Sequence, residues 1–497
     1  MSQFNKAPKA VIEKAVSANG NVQDVKSPEQ QFYELTVNTL YGKDQFYATG
    51  QELADRFSKV IEALVAKGNL DYIANMFLYA RTDMNIRNMP IFGLVKFANA
   101  IRSTGKSYPK LRQLVNDVVR RADQITDVLA LSLTEFGSKK ALPQAIKRGL
   151  SDAFNKFDEY QFAKYNRKGA CSLKDALRIV HAVPKSDEQS QLLAKIMTDT
   201  LSTPDTWEVA LSTNGQKAEA EQVSKAVLWE NLINSKKLGY QAALKNLRNM
   251  LDAGISPDAQ RKLSEFLISK AATSKSLPFE FWTALKQVQG RSNIIDNAIQ
   301  GAMNASVVNV PRLGERVWVI VDTSGSMRGL AEESANFFAS VIAKAHEGCE
   351  NFALTMFDST AKQVKLDLTS SISANYQYLS RMGGGGSTNF EAALAQEAVL
   401  GFKPDAVIVL TDNEINTFGQ SNGWSGNSSE GAVKRAAPGA MKFVINAATS
   451  ESTPMPERFG WHHLAGLSTK LFDYCEALQK GSSIVKELSV PYPYKEA

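Results

Sequence analysis

Between Glu29 and about Ala305 the chain repeats one pattern, apolar residues at every third or fourth position with polar residues between them. Residues 51–66 are the clearest instance: Leu53, Phe57, Val60, Ile61, Leu64 and Val65 fall on one face of a helix. Similar stripes occur near 70–79, 91–101, 111–119, 125–133, 173–180, 192–197, 226–233 and 244–251. Short breaks rich in Gly, Pro, Asn and Ser separate them, such as Lys67-Gly68-Asn69, Ser107-Tyr108-Pro109 and Ser202-Thr203-Pro204-Asp205. No fixed period emerges. Many helices of roughly 10 to 16 residues joined by short turns nonetheless predict stacked helical pairs, an α-solenoid. A plain bundle is the alternative, but one core rarely accommodates so many helices. Residues 1–28 are polar and aperiodic, which predicts a flexible arm or one that docks elsewhere.

Near Val310 the pattern changes. Residues 316–322 (RVWVIVD) form a short continuous apolar run ending in Asp322, the mark of a strand buried on both faces. A helix is predicted over 330–346, then strands over 352–357 and 362–368, a Gly-rich loop and a helix over 390–400. A second buried strand over 405–412 and a further one over 441–447 follow. Strands alternating with helices predict a doubly wound, Rossmann-like parallel sheet. The expected class is α plus α/β, divided into an arm (1–28), a helical domain (29–305), a sheet domain (306–489) and an extended tail (490–497).

Composition alters this picture little. With 497 residues, 44% hydrophobic and 22% charged, the chain is ordinary for a globular protein, which excludes disorder and collagen-like repeats. No run of about 18 apolar residues occurs, and no apolar stretch follows a positive charge at the N-terminus. Cys171, Cys349 and Cys475 are odd in number, far apart and without CxxC spacing. They suit idle thiols in a reducing compartment, so a cytoplasmic protein without membrane or disulfides is expected. Charge distribution changes more. From Arg312 onward there are 16 Lys and Arg against 20 Asp and Glu, whereas 102–185 holds 17 against 8. The asymmetry suggests that the helical part meets a polyanion and the sheet part does something else. A merely solvated basic face is the plainer alternative.

Ligands of an open parallel sheet gather at the C-terminal ends of its strands. The loops expected there contain Asp322-Thr323-Ser324-Gly325-Ser326, the tract Gly383–Gly386 with Ser387-Thr388, and Thr411-Asp412-Asn413-Glu414. Asp322, Ser324, Ser326, Thr388 and Asp412 together supply two carboxylates and three hydroxyls, without His or Cys. That hard-oxygen set suits Mg²⁺, or Mn²⁺, with waters completing the shell. Neutral hydroxyls leave the ion much of its charge, so it could take a carboxylate or phosphate from a partner. The glycine tract is no P-loop, since no Lys follows it, and no GxSxG elbow surrounds Ser324 or Ser326. Ordinary Gly/Ser turns are the plainer reading, but three separate loops agree.

On the helical side, Ser172 and Asp175 have the spacing of a capping box, and Pro184 closes the helix they open. Leu173, Ala176, Leu177 and Val180 share one face, while Lys174, Arg178 and His181 cluster on a solvent-facing edge. Just upstream, Lys164, Arg167 and Lys168 flank Tyr165. Cations for phosphates beside a stacking ring are what RNA recognition uses. His181 as a helix-terminal residue helped by the dipole, and the Lys/Arg set as a solvated face, are the alternatives.

These residues carry a resemblance. DTSGS, a distant Thr388 and the TDNE strand end look like the metal-ion-dependent adhesion site of the von Willebrand factor A fold, over about 315–480. Helical repeats ending in such a domain, with Lys164-Tyr165-Asn166-Arg167-Lys168-Gly169 followed by LKDALRIVH and Pro184, resemble the Ro autoantigen family. That family joins a TROVE module to a von Willebrand A domain, and the likeness extends to Ro-like RNA-binding proteins of bacteria or phage. It implies a ring of HEAT-like repeats whose outer basic surface binds small structured Y RNAs and whose hole takes single-stranded ends of misfolded RNA. It implies metal ligation by Ser324, Ser326 and Thr388, with Asp322 and Asp412 acting directly or through water. It matches Lys164 and His181 to Y RNA-binding positions. Lys168 stands where animal members have Arg, which keeps the charge but loses the bidentate fork. The resemblance implies a non-catalytic role in RNA quality control, processing or decay, with an exoribonuclease such as polynucleotide phosphorylase as a partner and no DNA. Two other functions stay open: a von Willebrand A-type protein-binding adaptor, and a Mg²⁺-dependent phosphohydrolase or nuclease using Asp322 and Asp412.

Overall fold

The computed structural model describes residues 14–16, 22–38, 50–166, 171–203, 209, 223–236, 238–274, 276–310, 312–414, 429–446, 451–464 and 484–494. The helices of the first part are α1 (Pro28–Asn38), α2 (Gly50–Lys67), α3 (Leu70–Thr82), α4 (Asn88–Ser103) and α5 (Leu111–Val118). They continue as α6 (Asp123–Phe136), α7 (Gln144–Phe154), α8 (Glu159–Tyr165), α9 (Leu173–Val180), α10 (Asp187–Thr198) and α11 (Lys225–Asn234). The last five are α12 (Tyr240–Lys245), α13 (Leu247–Asp252), α14 (Pro257–Ala271), α15 (Pro278–Val288) and α16 (Asn293–Ala305).

Alternate helices form two rows. α2 packs on α4 and α4 on α6, while α3 packs on α5, α5 on α7, and both α6 and α7 meet α9. Each helix can bury its stripe only against its neighbours, which is the logic of stacked repeats. In α2 the buried residues include all six of the predicted stripe, Leu53, Phe57, Val60, Ile61, Leu64 and Val65. The helix expected over 244–251 is instead broken at Asn246. There the side chain donates to the Ala242 carbonyl (2.9 Å) and accepts from Asn249 (2.9 Å). Such local bonds compete with the backbone ladder.

The sheet domain contains β3 (Arg316–Asp322), β4 (Asn351–Phe357), β5 (Ala361–Val364), β6 (Ala406–Thr411), β7 (Met441–Asn446) and β9 (Trp461–Leu464), in the order β5-β4-β3-β6-β7-β9. Helix α17 (Leu330–Ala345) follows β3, and α18 (Ile372–Met382) and α19 (Phe390–Ala395) follow β5. The sheet is mixed rather than wholly parallel, because β5 runs antiparallel to β4. Only residues 358–360 separate the two strands, too few for a parallel crossover. β5 also ends at Val364, short of the expected 368, where Asp367 accepts from the Thr369 and Ser370 hydroxyls and starts a turn.

Both ends of the helical array touch the sheet domain. At one end Trp282 of α15 stacks on Phe337 of α17 (4.5 Å between centroids), and Tyr376 of α18 packs edge-on against both. At the other, the polar arm docks. β1 (Lys14–Val16) pairs with β2 (Val22–Val25), and β2 pairs with β8 (Ser452–Thr453). Behind them the fully buried Lys26 donates to Glu34 (2.7 Å), which also accepts from Asn446 at the end of β7. The tail after α20 (Ser429–Arg435) and α21 (Ile484–Leu488) is strapped to the first helices. Asn75 of α3 donates to the carbonyls of Leu488 and Val490 and accepts from Tyr494 N–H, while Tyr492 donates to Asp117 (2.6 Å). The array thus closes on itself through the sheet domain, a ring-like arrangement. Among the described residues no helix is long and apolar enough to cross a membrane.

Candidate metal site and basic face

The three loops expected to converge do so at the C-terminal ends of β3 and β6. Asp322, Ser324, Thr388 and Asp412 are buried, and Ser326 is half-buried. Asp322 accepts from Ser324 N–H (2.9 Å) and from the Thr411 hydroxyl (2.6 Å), so its carboxylate is aimed before any ligand arrives. The Ser324 and Ser326 hydroxyls lie 3.2 Å apart. Asp412 Oδ1 accepts from Glu414 N–H (3.0 Å), while its buried Oδ2 has no hydrogen-bond partner among the described residues.

Glycine is needed where the loops touch. A Cβ on Gly384 would lie 2.2 Å from the Thr323 carbonyl oxygen, and Gly386 has φ +99° and accepts from Gly325 N–H (3.1 Å). Thr388 is held from both sides: Ser387 N–H donates to Ser359 Oγ (3.3 Å), and Asn389 N–H to the Asp358 carbonyl (2.7 Å). Asp358 and Ser359, which orient Thr388, were not singled out in the sequence, and Thr411 was read only as part of its loop; their places beside strand ends were the available signal.

Burial raises the pKa of Asp322, and the neighbouring Asp412 raises it further; Asp412 is raised too, chiefly by its own burial. Two adjacent buried carboxylates with a lone oxygen atom and three nearby hydroxyls suit a hard divalent cation such as Mg²⁺ or Mn²⁺. Among the described residues no cluster of three or more His, Cys, Asp or Glu could hold a metal. Oxygen donors that include hydroxyls are the set this chain offers.

The basic face is built differently. The capping box opening α9 is formed: Asp175 N–H donates to Ser172 Oγ (3.1 Å) and Ser172 N–H to Asp175 Oδ2 (3.2 Å). Arg178 and His181 are exposed, and His181 caps the helix in a left-handed conformation (φ +52°), its N–H on the Leu177 carbonyl. Lys174 is engaged by Asp199 (2.6 Å). On α8, Lys164 sits near the rings of Tyr160 and Tyr165 (5.9 and 5.7 Å). Arg167, Lys168 and Cys475 lie outside the described residues. Residues missed in the sequence join this region from separate turns. Arg121 lies over Tyr165 (4.4 Å), and Arg81 shares its surroundings with Arg87, Arg120 and Arg121. The cation excess over 102–185 was the signal for Arg120 and Arg121, and it does not reach Arg81 or Arg87.

The TROVE domain model matches residues 16–201 and 197–309, more than half of the chain. The chain belongs to the TROVE-domain family. Two curated TROVE-region relatives are telomerase protein component 1 of Mus musculus, 23% identical over 315 residues, and of Rattus norvegicus, 24% over 298. These matches cover 46% and 43% of this chain but only 11% of either relative. The fold resembles the crystal structure of the Deinococcus radiodurans RO (RSR) protein, with TM-score 0.61 and 15% identity over 91% of this chain and all of that one. Helical repeats followed by a von Willebrand A-like domain are therefore the architecture, as the Ro resemblance implied. The TROVE and Ro family is one of RNA-binding ribonucleoprotein components.

Proposed function

We propose that this chain is a non-catalytic component of a ribonucleoprotein that binds noncoding RNA. Small structured, Y-like RNA lies on the basic face of α8 and α9, contacting Lys164, Arg178 and His181. Single-stranded ends of misfolded RNA enter the hole of the ring, which serves RNA quality control, processing or decay. The observation that carries this reading is the TROVE match over a run of cations, the half-buried Lys164 on α8 and the exposed Arg178 and His181 at α9, within a stretch of 17 basic and 8 acidic residues. Phosphate contacts supply sequence-independent affinity that falls steeply with salt, and RNA shape supplies the selectivity.

The sheet domain has a separate task. Asp322, Ser324, Ser326, Thr388 and Asp412 would hold Mg²⁺, which would present a Lewis-acidic position to a partner's carboxylate. An exoribonuclease is the partner class this reading favours. With Asp322 and Asp412 held by the backbone N–H groups of Ser324 and Glu414, the loops would orient a docking group. The test is the RNA that co-purifies with the full-length protein from its own host, compared with a Lys164→Ala/His181→Ala variant. One abundant small structured RNA, depleted in the variant, is the expected result. No enriched RNA in either sample would overturn the reading in favour of a protein-binding adaptor.

A further inference from the structure

A cleft of about 630 Å³ opens beside the seat of the C-terminal tail, away from the metal loops. Its walls come from α3, the end of α5, the turn before α8 and the tail itself. That volume lies within the roughly 300–1,000 Å³ of small-ligand sites.

The charges in it are unevenly satisfied. Asp117 accepts from Tyr492, and Asp83 from the hydroxyls of Thr82 and Tyr494, so both carboxylates are engaged by neutral donors. Lys156 turns its ammonium onto the Asn116 and Val119 carbonyls at the end of α5. Arg120, by contrast, is exposed and makes no ion pair among the described residues, and Arg87 is the same. Behind them Arg81 is fixed by the Val118 and Ile86 carbonyls and by Gln124. Its burial, with Arg120, Arg87 and Arg121 around it, lowers its pKa to about 10, a sign of crowded positive charge.

The remaining lining is partly apolar: the half-buried Leu78 and Pro493 and the rim of Phe157, which is 5% exposed, with the Gln161 amide among them. Tyr160, next to Gln161 in sequence, is 49% exposed with Lys164 over its ring. An unpaired guanidinium beside ring-sized apolar walls and an amide matches the phosphate, face and edge of a nucleotide. Only an unstacked base could enter.

We propose that this cleft seats one nucleotide of a single-stranded RNA, with its phosphate on Arg120, its base against Leu78 and Pro493, and its edge at Gln161. Tyr160 offers a stacking surface to a neighbouring base. The inference rests on the RNA-binding reading above and adds a single-strand site at the N-terminal end of α8, bordering the Lys164, Arg178 and His181 contacts with structured RNA.

The test is fluorescence anisotropy of the full-length protein with an unstructured ten-nucleotide oligouridine and, separately, a stable RNA hairpin. Wild type, Arg120→Ala, Arg120→Lys and Arg248→Ala are compared, Arg248 being an exposed arginine of α13. Arg120→Ala is expected to weaken oligouridine binding about tenfold and to lower its salt slope by about one, with a clearly smaller loss for the hairpin. Arg120→Lys recovers part of the loss. Equal effects of Arg120→Ala and Arg248→Ala, or equal losses for both RNAs, would overturn the cleft assignment. If wild type binds neither RNA, the RNA-binding reading itself falls.

Discussion

The three converging loops and the basic face are two kinds of candidate site in one chain. In the loops, Asp322, Ser324, Thr388 and Asp412 are buried, and short backbone bonds set their directions. On α8 and α9 the cations range from half-buried (Lys164, Lys174) to exposed (Arg178), and Lys174 already has a partner in Asp199. The first arrangement recognises by geometry and tolerates little change; the second attracts by summed charge and tolerates much. Substitutions should therefore act sharply in the loops and gradually on the face.

The largest effect is expected from Gly384→Ala. Its Cβ would meet the Thr323 carbonyl oxygen at 2.2 Å and the Thr323 Cβ at 2.4 Å, so backbone must move. Thermal unfolding should show a loss of about 1–3 kcal/mol, and Mg²⁺ should no longer stabilise the protein. RNA affinity should be unchanged, and a parallel loss of RNA binding would break the comparison.

A second variant sharpens it through a reversal of order. Asp322 and Asp412 raise each other's cost of ionisation in a buried site, so Asp412→Asn should stabilise the chelator-treated protein by about 1 kcal/mol. With Mg²⁺ at a hundred times its Kd, wild type should gain about 2.7 kcal/mol and the variant nothing. Unfolding in chelator and in Mg²⁺ checks this; the same ranking in both would contradict metal ligation by Asp412.

The contact between arm and sheet gives a pH signature. Burial, with Lys26 contributing, lowers the His463 imidazole from 6.5 to about 3. A base with a depressed folded pKa takes up its proton more readily when unfolded. Its contribution is thus full above pH 6.5 and is lost as pH falls from 6.5 toward 3, by up to about 1.4 kcal/mol per unit. The raised pKa values of Asp322 and Asp412 act in the opposite direction, so the difference from His463→Gln is the quantity to measure. A shallower decline between pH 7 and 5 in that variant is expected, and identical slopes would remove His463 from the explanation.

Much of this was legible because it is local. The α2 stripe, the α9 capping box and the convergence of the three loops follow from periodicity, a three-residue spacing and strand ends. What escaped is non-local. The arm pairs with β8 through two-residue contacts at 452–453, too short to leave a pattern. Arg87 and Arg120 both come near Arg81 only because separate turns share one edge of the array. The antiparallel β5 was readable in principle from the three-residue turn at 358–360, but its apolar content resembles that of any edge strand. Lys174 looked like a free cation because Asp199 lies 25 residues further along.

The division of labour between the two sites is tested most directly by one crossed titration. Labelled small structured RNA is added to wild type, Asp322→Ala and Lys164→Ala/His181→Ala, with Mg²⁺ present, and both binding and RNA integrity are followed. The expected result is intact RNA throughout, full affinity with Asp322→Ala, and about a tenfold or greater loss with the helical double variant. RNA cleaved by wild type but not by Asp322→Ala would show instead that the metal loops carry the chemistry.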